Sequence, residues 1–212
     1  ELGYRVIPYE VDAWRFGVPQ KRIRQLFIGT RRELPLFIPD RYIRPTHAGI
    51  GEPLEDGIQP VVTLGEAIGD LPEIAAGDDV FNREYDLDRR KAHIKRYGRR
   101  YVCDVLGADK AKLLTAHIAR PHSARDLRDF ERLKEGENSK QAIARGEDME
   151  FPYDREHFKD RYTRQHRDTL CSTIVAHLKK DGLMFIHPVQ RRSMTPREAA
   201  RVQSFPDTFI LP

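Results

Sequence analysis

The nine residues 16–24, Phe-Gly-Val-Pro-Gln-Lys-Arg-Ile-Arg, constrain the fold most, because they separate two short apolar runs. Residues 2–12 and 25–30 both have the composition of strands, and Gly17 and Pro19 interrupt the chain between them. Glycine allows a left-handed backbone and proline cannot donate to a β-ladder. The sequence therefore predicts a hairpin-like pair of strands around this turn.

Gln20, Arg22 and Arg24 follow the turn at every second position. On an extended segment this spacing places three side chains on one face. An amide and two guanidinium groups on one face suit phosphate oxygens and the edges of bases. The same pattern is also typical of the solvated face of an edge strand, and the stretch alone does not decide between these interpretations.

The string Gly-Val-Pro-Gln-x-Arg-x-Arg between two strands resembles motif VIII of the DNA (cytosine-5-)-methyltransferases, and the residues on either side, Leu-Gly-Tyr-Arg-Val and Ile-Gly-Thr-Arg, also match. Near the other end of the chain, residues 191–207 contain Thr-Pro-Arg-Glu-Ala-Ala-Arg-Val-Gln-Ser-Phe-Pro-Asp and closely resemble motif IX of the same family. By these two motifs the chain is identified as a member of that family, covering its C-terminal half without the last motif.

The resemblance implies a mixed α/β fold with two parts. Residues 1–33 would be the terminal strands of a Rossmann-like S-adenosylmethionine-dependent methyltransferase domain. Residues 34–212 would form an irregular α+β target-recognition domain that includes motif IX. The recognition region would read duplex DNA in the major groove, although the side chains that do so cannot be derived from the sequence.

The resemblance also assigns roles to individual residues. Arg24 is expected to contact the flipped cytosine and its phosphate, Arg22 to support the same pocket, and Gln20 to position the turn beside the DNA. Motif IX is expected to be a capped helix that organises the domain junction, with Thr195 as N-cap and Glu198 completing the capping box. Its expected structural members are Arg197, Glu198 and Arg201.

Residues 89–100 are strongly basic, since seven of the twelve are Lys or Arg. Basic residues interleaved with His, Ile and Tyr suit backbone phosphates and stacking contacts, although a solvated loop is the alternative. We favour DNA contact and name Arg89, Arg90, Lys95, Arg96, Arg99 and Arg100.

Thr173 lies in a Ser-Thr-Ile string that resembles the family's short Thr-Ile element, which helps anchor the recognition region against DNA. The alternative is a β-branched residue that favours a strand.

The catalytic elements of the family do not match this chain. Its enzymes flip the cytosine out of the duplex, and a cysteine in a Pro-Cys pair attacks C6 before S-adenosylmethionine gives its methyl group to C5. Here Cys103 follows Val102 and Cys171 follows Leu170. We also find no Glu-Asn-Val segment and no glycine-rich cofactor loop. The chain alone is therefore expected to be inactive, with most of the cofactor site outside it.

Two alternatives remain open: a specificity subunit of a split methyltransferase that needs a separate catalytic chain, and a non-enzymatic DNA-binding protein.

The start at Glu1, directly before a strand, suggests part of a longer protein. No apolar run approaches the ~20 residues of a membrane helix and no leader is evident, so we expect a bacterial cytoplasmic protein. His117 with His122, or His157 with His166, could in principle ligate zinc, but no carboxylate or thiolate accompanies them at ligand spacing. The sequence therefore predicts no metal site. The sequence further predicts a short helix over 108–117 and a strand over 183–186.

Overall fold

The computed structural model describes residues 3–151, 162–175 and 182–211. A hairpin opens the chain, and its strands pair antiparallel along all nine residues of each, β1 (Tyr4–Asp12) and β2 (Ile23–Arg31). A 3-10 helix, Ala13–Phe16, follows β1 and ends at Gly17, whose φ of 88° lies in the left-handed region. A Cβ at Gly17 would also lie 2.6 Å from the ring of His47. The predicted hairpin is confirmed.

The hairpin is only partly covered by the rest of the described chain. Val6 and Ile23 are each 57% exposed, and Phe27 is 73% exposed. A two-stranded ribbon is marginally stable in water unless further strands or a helix cover it. The β-pair therefore presents apolar side chains that nothing in the described ranges buries.

The remaining sheets are small, with only two residues in each strand. The parallel pair is β3 (His47–Ala48) with β4 (Gln59–Pro60), and the antiparallel pair is β5 (Asn82–Arg83) with β6 (Leu114–Thr115). The helices are α1 (Pro39–Tyr42), α2 (Leu64–Ile68), α3 (Leu87–Tyr97), α4 (Ala124–Arg132), α5 (Ser139–Ala144) and α6 (Pro196–Val202). A π-helix covers Arg100–Val105 and a 3-10 helix covers Gly182–Met184. The described fold is thus mixed α/β with little regular sheet.

Two predicted elements are wrong. Residues 108–117 form turns and the short strand β6, because Ala116 adopts a φ of 57° that an α-helix does not allow. Residues 183–186 form no strand, because the Phe185 N–H closes the 3-10 turn on the Gly182 carbonyl at 3.1 Å. Only Ile186 makes bridges there, to Arg164 and Ser193.

The main core joins α2, the π-helix and α6. Leu64, Ile68 and Leu71 pack with Tyr101 and Val202 in one buried cluster. A second cluster links α4 and α5 to the segment before residue 187, and contains Phe130, Leu133, Ala142, Met149, Phe151, Tyr162, Leu183 and Ile186. The two clusters meet along residues 183–186, since Phe185 belongs to the first and Ile186 to the second.

Helix α6 carries its predicted cap and two fully buried arginines. Thr195 accepts from the Glu198 N–H at 3.1 Å, and the Glu198 carboxylate accepts from the Thr195 N–H at 2.8 Å. The Arg201 guanidinium lies between Asp70 and Asp207, with Nε 2.8 Å from Asp207 Oδ1. Burial lowers the pKa of Arg201 and so opposes its charge. The two carboxylates outweigh burial and raise this pKa above the ordinary value.

Replacing Arg201 by Met should reduce the free energy of unfolding by about 3–5 kcal/mol, because two buried carboxylates lose their shared counterion. Arg191→Met is the matched control, since Arg191 makes an exposed ion pair with Glu131. Its effect should be about 1 kcal/mol or less. Urea denaturation of both variants measures the difference, and equal losses would contradict the structural role of Arg201.

Two histidines beside α6, the buried His187 and the half-buried His122, are held in their neutral form. Nε2 of His122 accepts from the Ser193 N–H at 3.1 Å, and Nδ1 of His187 accepts from the Gln190 N–H at 2.9 Å. A nitrogen that accepts a backbone N–H cannot also carry a proton. Burial is the largest cause that lowers these pKa values, to about 4 for His122 and about 3 for His187.

These shifts predict that stability falls as the pH drops from about 6.5, the ordinary histidine pKa, towards 4. In that window the unfolded chain binds protons that the folded chain excludes, so the free energy of unfolding rises with pH. His122→Gln keeps an acceptor for the Ser193 N–H but cannot titrate, and should make this slope shallower. Unfolding measured between pH 7 and 4.5 tests this. An unchanged slope would mean that groups other than His122 cause the pH dependence of stability.

Candidate functional site

The turn that follows the first 3-10 helix is fastened to a distant part of the chain, residues 171–173. The Cys171 N–H donates to the Pro19 carbonyl at 3.0 Å, and the Lys21 N–H donates to the Cys171 carbonyl at 2.9 Å. The Thr173 hydroxyl donates to the Lys21 carbonyl. These three bonds place residues 171–173 beside the turn as a short parallel bridge.

The three side chains predicted to share one face have different environments. Gln20 is fully buried, and its Oε1 lies 3.5 Å from Nη1 of Arg22. Arg22 is half-buried and donates to the Ile174 carbonyl at 3.4 Å, and burial followed by the charge of Arg24 lowers its pKa. Arg24 is exposed, and among the described residues its guanidinium donates only to the neighbouring Ile23 carbonyl, at 2.6 Å. Gln20 is placed to position the turn, and its full burial keeps it from the surface; its contact with DNA stays a prediction.

Arg24 lines an open cavity of about 650 Å³ between the turn and residues 170–173. Lys21 and Thr173 line the same cavity, and Trp14 contributes an aromatic ring. Residues 49–52, a turn after β3, complete the lining. The cavity has room for a polar ring with its attached sugar, and it lies where the hairpin meets the rest of the chain.

Two carboxylates and two cations line this cavity, but they do not pair with each other. Both carboxylates in its lining are engaged: Asp12 accepts from the Arg22 N–H at 3.0 Å and from Trp14 Nε1 at 2.8 Å, and Glu52 accepts from the Gly49 N–H at 2.8 Å. Among the described residues, neither Lys21 nor Arg24 has a carboxylate within 4 Å. The cavity therefore offers an anionic ligand two cations that are not paired with its carboxylates.

The basic block at 89–100 lies mostly on α3, with residue 99 in the bend that follows and residue 100 as the first of the π-helix. Arg90 points inward with only 8% of its surface exposed, donates to the Ala108 carbonyl at 2.9 Å and stacks on Tyr85 at 3.9 Å. Its Nε lies 3.3 Å from Asp70. The helix thus turns this side chain into the core and away from the surface, and the DNA contact of Arg90 stays a prediction.

The other basic residues of the block divide into two groups. Arg89 pairs with Glu73 at 2.8 Å and Arg99 with Asp109 at 3.2 Å. Among described residues, the exposed side chains Lys95, Arg96 and Arg100 make no ion pair within 4 Å, which leaves their charge available. None of the block lines the cavity of Arg24, so the structure does not bring the two predicted DNA-binding groups into one pocket.

The motif IX residues lie inside the fold, as predicted. Arg197 donates from Nε to the Thr115 carbonyl at 2.9 Å and from Nη2 to the Phe209 carbonyl at 2.8 Å. Glu198 receives both ends of the Arg192 guanidinium, at 2.7 and 2.8 Å. These residues, with Arg201, hold α6 against the rest of the chain and do not contact the cavity.

Some residues of the site were missed by the sequence reasoning. Lys21 stands inside the quoted turn but falls between the alternating positions, and only its carbonyl bond to Thr173 reveals its place. Trp14 and the turn at 49–52 carry no motif. Thr173 lines the cavity, and its predicted role in anchoring the recognition region against DNA stays a prediction.

Neither cysteine has the environment of a nucleophile. Cys171 is fully buried, and burial raises the pKa of its thiol to about 12. Cys103 is also buried, in the π-helix. A thiolate must be accessible and have a lowered pKa to attack a base. Within the described ranges no three His, Cys, Asp or Glu side chains are grouped as metal ligands; His157, which the sequence had raised as a possible ligand, lies outside them. No described helix is long and apolar enough to cross a membrane.

Comparisons with known proteins agree with the motifs. The family profile described as C-5 cytosine-specific DNA methylase matches residues 1–212. The type II methyltransferase M.DdeI of Desulfomicrobium norvegicum is 29% identical over 99% of this chain and 46% of its own length. M.AgeI of Thalassovita gelatinovora is 27% identical over all of this chain and 60% of its own.

A crystal structure also resembles this fold, that of a protein described as a DNA modification methyltransferase encoded within a prophage (E. coli). It matches with a TM-score of 0.63 and 26% identity, covering 99% of this chain and 52% of that one. The chain thus spans about half the length of the relatives that it matches. With the family profile matched from the first residue to the last, the chain belongs to the C-5 cytosine-specific DNA methylase family.

Proposed function

We propose that this chain is the target-recognition part, with the last strands of the catalytic domain, of a DNA cytosine-5 methyltransferase. The observation that supports it best is the cavity at the junction, where Arg24, Lys21 and Thr173 stand together and neither cation lies within 4 Å of a described carboxylate. Guanidinium and ammonium groups in such a place suit a phosphate oxygen or the carbonyl of a base. In this proposal the cavity holds the flipped cytosine with its phosphate.

The exposed hairpin supports the same assignment. Val6, Ile23 and Phe27 are apolar side chains on a pair of strands that needs further sheet to be stable. The relatives carry about as many residues again as this chain. We therefore propose that the other half of the methyltransferase supplies the neighbouring strands, the catalytic cysteine and the site for S-adenosylmethionine.

S-adenosylmethionine would supply the methyl group. We assign no residue of this chain to the cofactor, because the glycine-rich segment that the family uses has no counterpart here. What this chain's residues would do is hold the base and its phosphate, through Arg24 and Lys21, and keep the junction closed through the bonds of residues 171–173 to the turn.

A split enzyme is the second candidate, and the exposed apolar side chains of the hairpin are compatible with it. The catalytic half would then be a separate protein that covers the hairpin. Co-purification from the native source distinguishes the two: a stable partner supports the split enzyme, and a single longer product supports one chain. A non-enzymatic DNA-binding protein would bind DNA with or without a partner chain, but it would never transfer a methyl group.

In the methyltransferase completed by its other half, Arg24→Ala should reduce methyl transfer to duplex DNA by about 100-fold or more, because the reacting base loses a charged group that holds it. Binding to DNA should change little, since Lys21 and the basic helix remain. Arg31→Ala is the matched control: Arg31 lies on the same strand, makes only an exposed ion pair with Glu33, and should leave transfer unchanged.

Transfer of a labelled methyl group measures both variants, and the isolated chain gives the baseline. Wild-type turnover by Arg24→Ala would place Arg24 on the solvated face of an edge strand. Clear turnover by the isolated chain would contradict the proposal that the nucleophile belongs to another part of the enzyme.

The salt dependence of DNA binding tests the basic helix. A variant that no longer neutralises one phosphate should flatten the slope of log K against log salt by about 0.9. Lys95→Glu, Arg96→Glu and Arg100→Glu should each do so and weaken binding to all duplex sequences alike. Lys140→Glu on α5 reverses an exposed charge elsewhere and is the control. Unchanged slopes in the three helix variants would place this block away from the DNA.

A further inference from the structure

A glutamine outside the cavity connects the segment that carries Thr173 to the rest of the fold. Gln165 is only 4% exposed. Its Oε1 accepts from the Ser172 N–H at 3.1 Å, and its Nε2 donates to the Met184 carbonyl at 2.9 Å. One side chain thus ties residue 172 to residue 184 and closes the loop between 165 and 172.

The backbone around Gln165 is itself fixed. Its N–H donates to the Ile186 carbonyl at 3.0 Å, and the Ile186 N–H donates to the Thr163 carbonyl at 3.0 Å. Beside it, Arg164 is buried and donates to the carbonyls of Phe130, at 2.5 Å, and Pro188, at 3.1 Å. The glutamine therefore extends from a rigid base, anchored on α4 and on residues 186–188.

Ser172, at the other end of this connection, is the direct neighbour of Thr173, which lines the cavity. Ser172 is held by Gln165, and the next residue, Thr173, donates its hydroxyl to the Lys21 carbonyl. Cys171, on the other side of Ser172, makes the two backbone bonds with Pro19 and Lys21. A shift of Ser172 would move both of its neighbours, and with them the wall that faces Arg24.

We propose that Gln165 is a positioning residue, which sets the register of residues 171–173 on the turn and so shapes the cavity of Arg24. Both of its amide atoms are used, and each bond ends on backbone, so the constraint does not depend on another flexible side chain. The purpose of this register, presenting Thr173 and Lys21 to DNA, rests on the function proposed above. The register itself does not, and it can be tested without DNA.

Trp14, the only tryptophan of the chain, reports on the register because it lines the same cavity as Thr173. Gln165→Met keeps the length and removes both hydrogen bonds. Thr173→Val keeps the shape and removes the bond to Lys21. In the isolated chain, each variant should increase quenching of Trp14 by acrylamide, and the double variant should increase it no more than the larger single effect. The two residues act through one segment, so their effects should not add.

Gln141→Met is the control for general destabilisation, since Gln141 only caps α5. It should lower stability and leave Trp14 quenching at the wild-type value. Gln165→Glu is a second test, because it retains an acceptor for the Ser172 N–H. It should stay closer to wild type in Trp14 quenching than Gln165→Met, even where it lowers the melting temperature. Wild-type quenching in Gln165→Met, or additive effects in the double variant, would overturn the positioning role.

A duplex-binding measurement separates this inference from the function. If both hold, Gln165→Met and Thr173→Val each weaken binding by about 2- to 10-fold, the range expected when one hydrogen bond is removed. If Trp14 responds and the affinity for DNA does not, the register is confirmed and the assignment of this cavity to DNA fails. If Trp14 does not respond, the register fails whatever the affinity.

Discussion

The buried charges around α6 are the constraint on which the arrangement of the chain depends. Removing a guanidinium group from water costs several kcal/mol, and a carboxylate with good geometry, together with further hydrogen bonds, compensates for that cost. Arg201 has two such partners, Asp70 from the residues after α2 and Asp207 from the residues after α6. The pair Arg192–Glu198 repeats the arrangement beside the helix cap. These buried charges find their partners only when segments that are distant in the sequence come together, so they determine which segments pack against each other.

The same network explains why α3 lies where it does. Arg90 shares Asp70 with Arg201, and its ring partner Tyr85 donates to Asp207 at 2.9 Å. The buried carboxylates therefore hold α3 and α6 in one cluster. This fixes the outward face of α3, and with it Lys95 and Arg96, relative to the core. The basic surface is thus positioned by ion pairs that are themselves hidden from solvent.

The sequence predicted those features that local chemistry determines. Thr195, Pro196 and Glu198 specify the start of α6 within four residues, and Gly17 with Pro19 specifies the turn of the hairpin. The wrong predictions concern residues whose conformation depends on partners that are distant in the sequence. The Thr115 and Ala116 carbonyls accept from Arg197, at 2.9 and 3.1 Å, and a strand and a left-handed residue replace the predicted helix there. The inward direction of Arg90 did have a local signal, since Arg90, His93, Ile94 and Tyr97 recur at helical spacing.

The candidate site divides in the same way. Its motif residues were identifiable, but the cavity forms only because Thr173 reaches Lys21 across 152 positions of sequence. Such a contact costs loop-closure entropy and is retained here by three backbone acceptors rather than by a large apolar interface. A junction of this kind is easily displaced by a change of register. A part of the chain with little apolar burial of its own can hold a cavity open only if another part keeps that register, and Gln165, anchored on residues 184–186, is placed to do so.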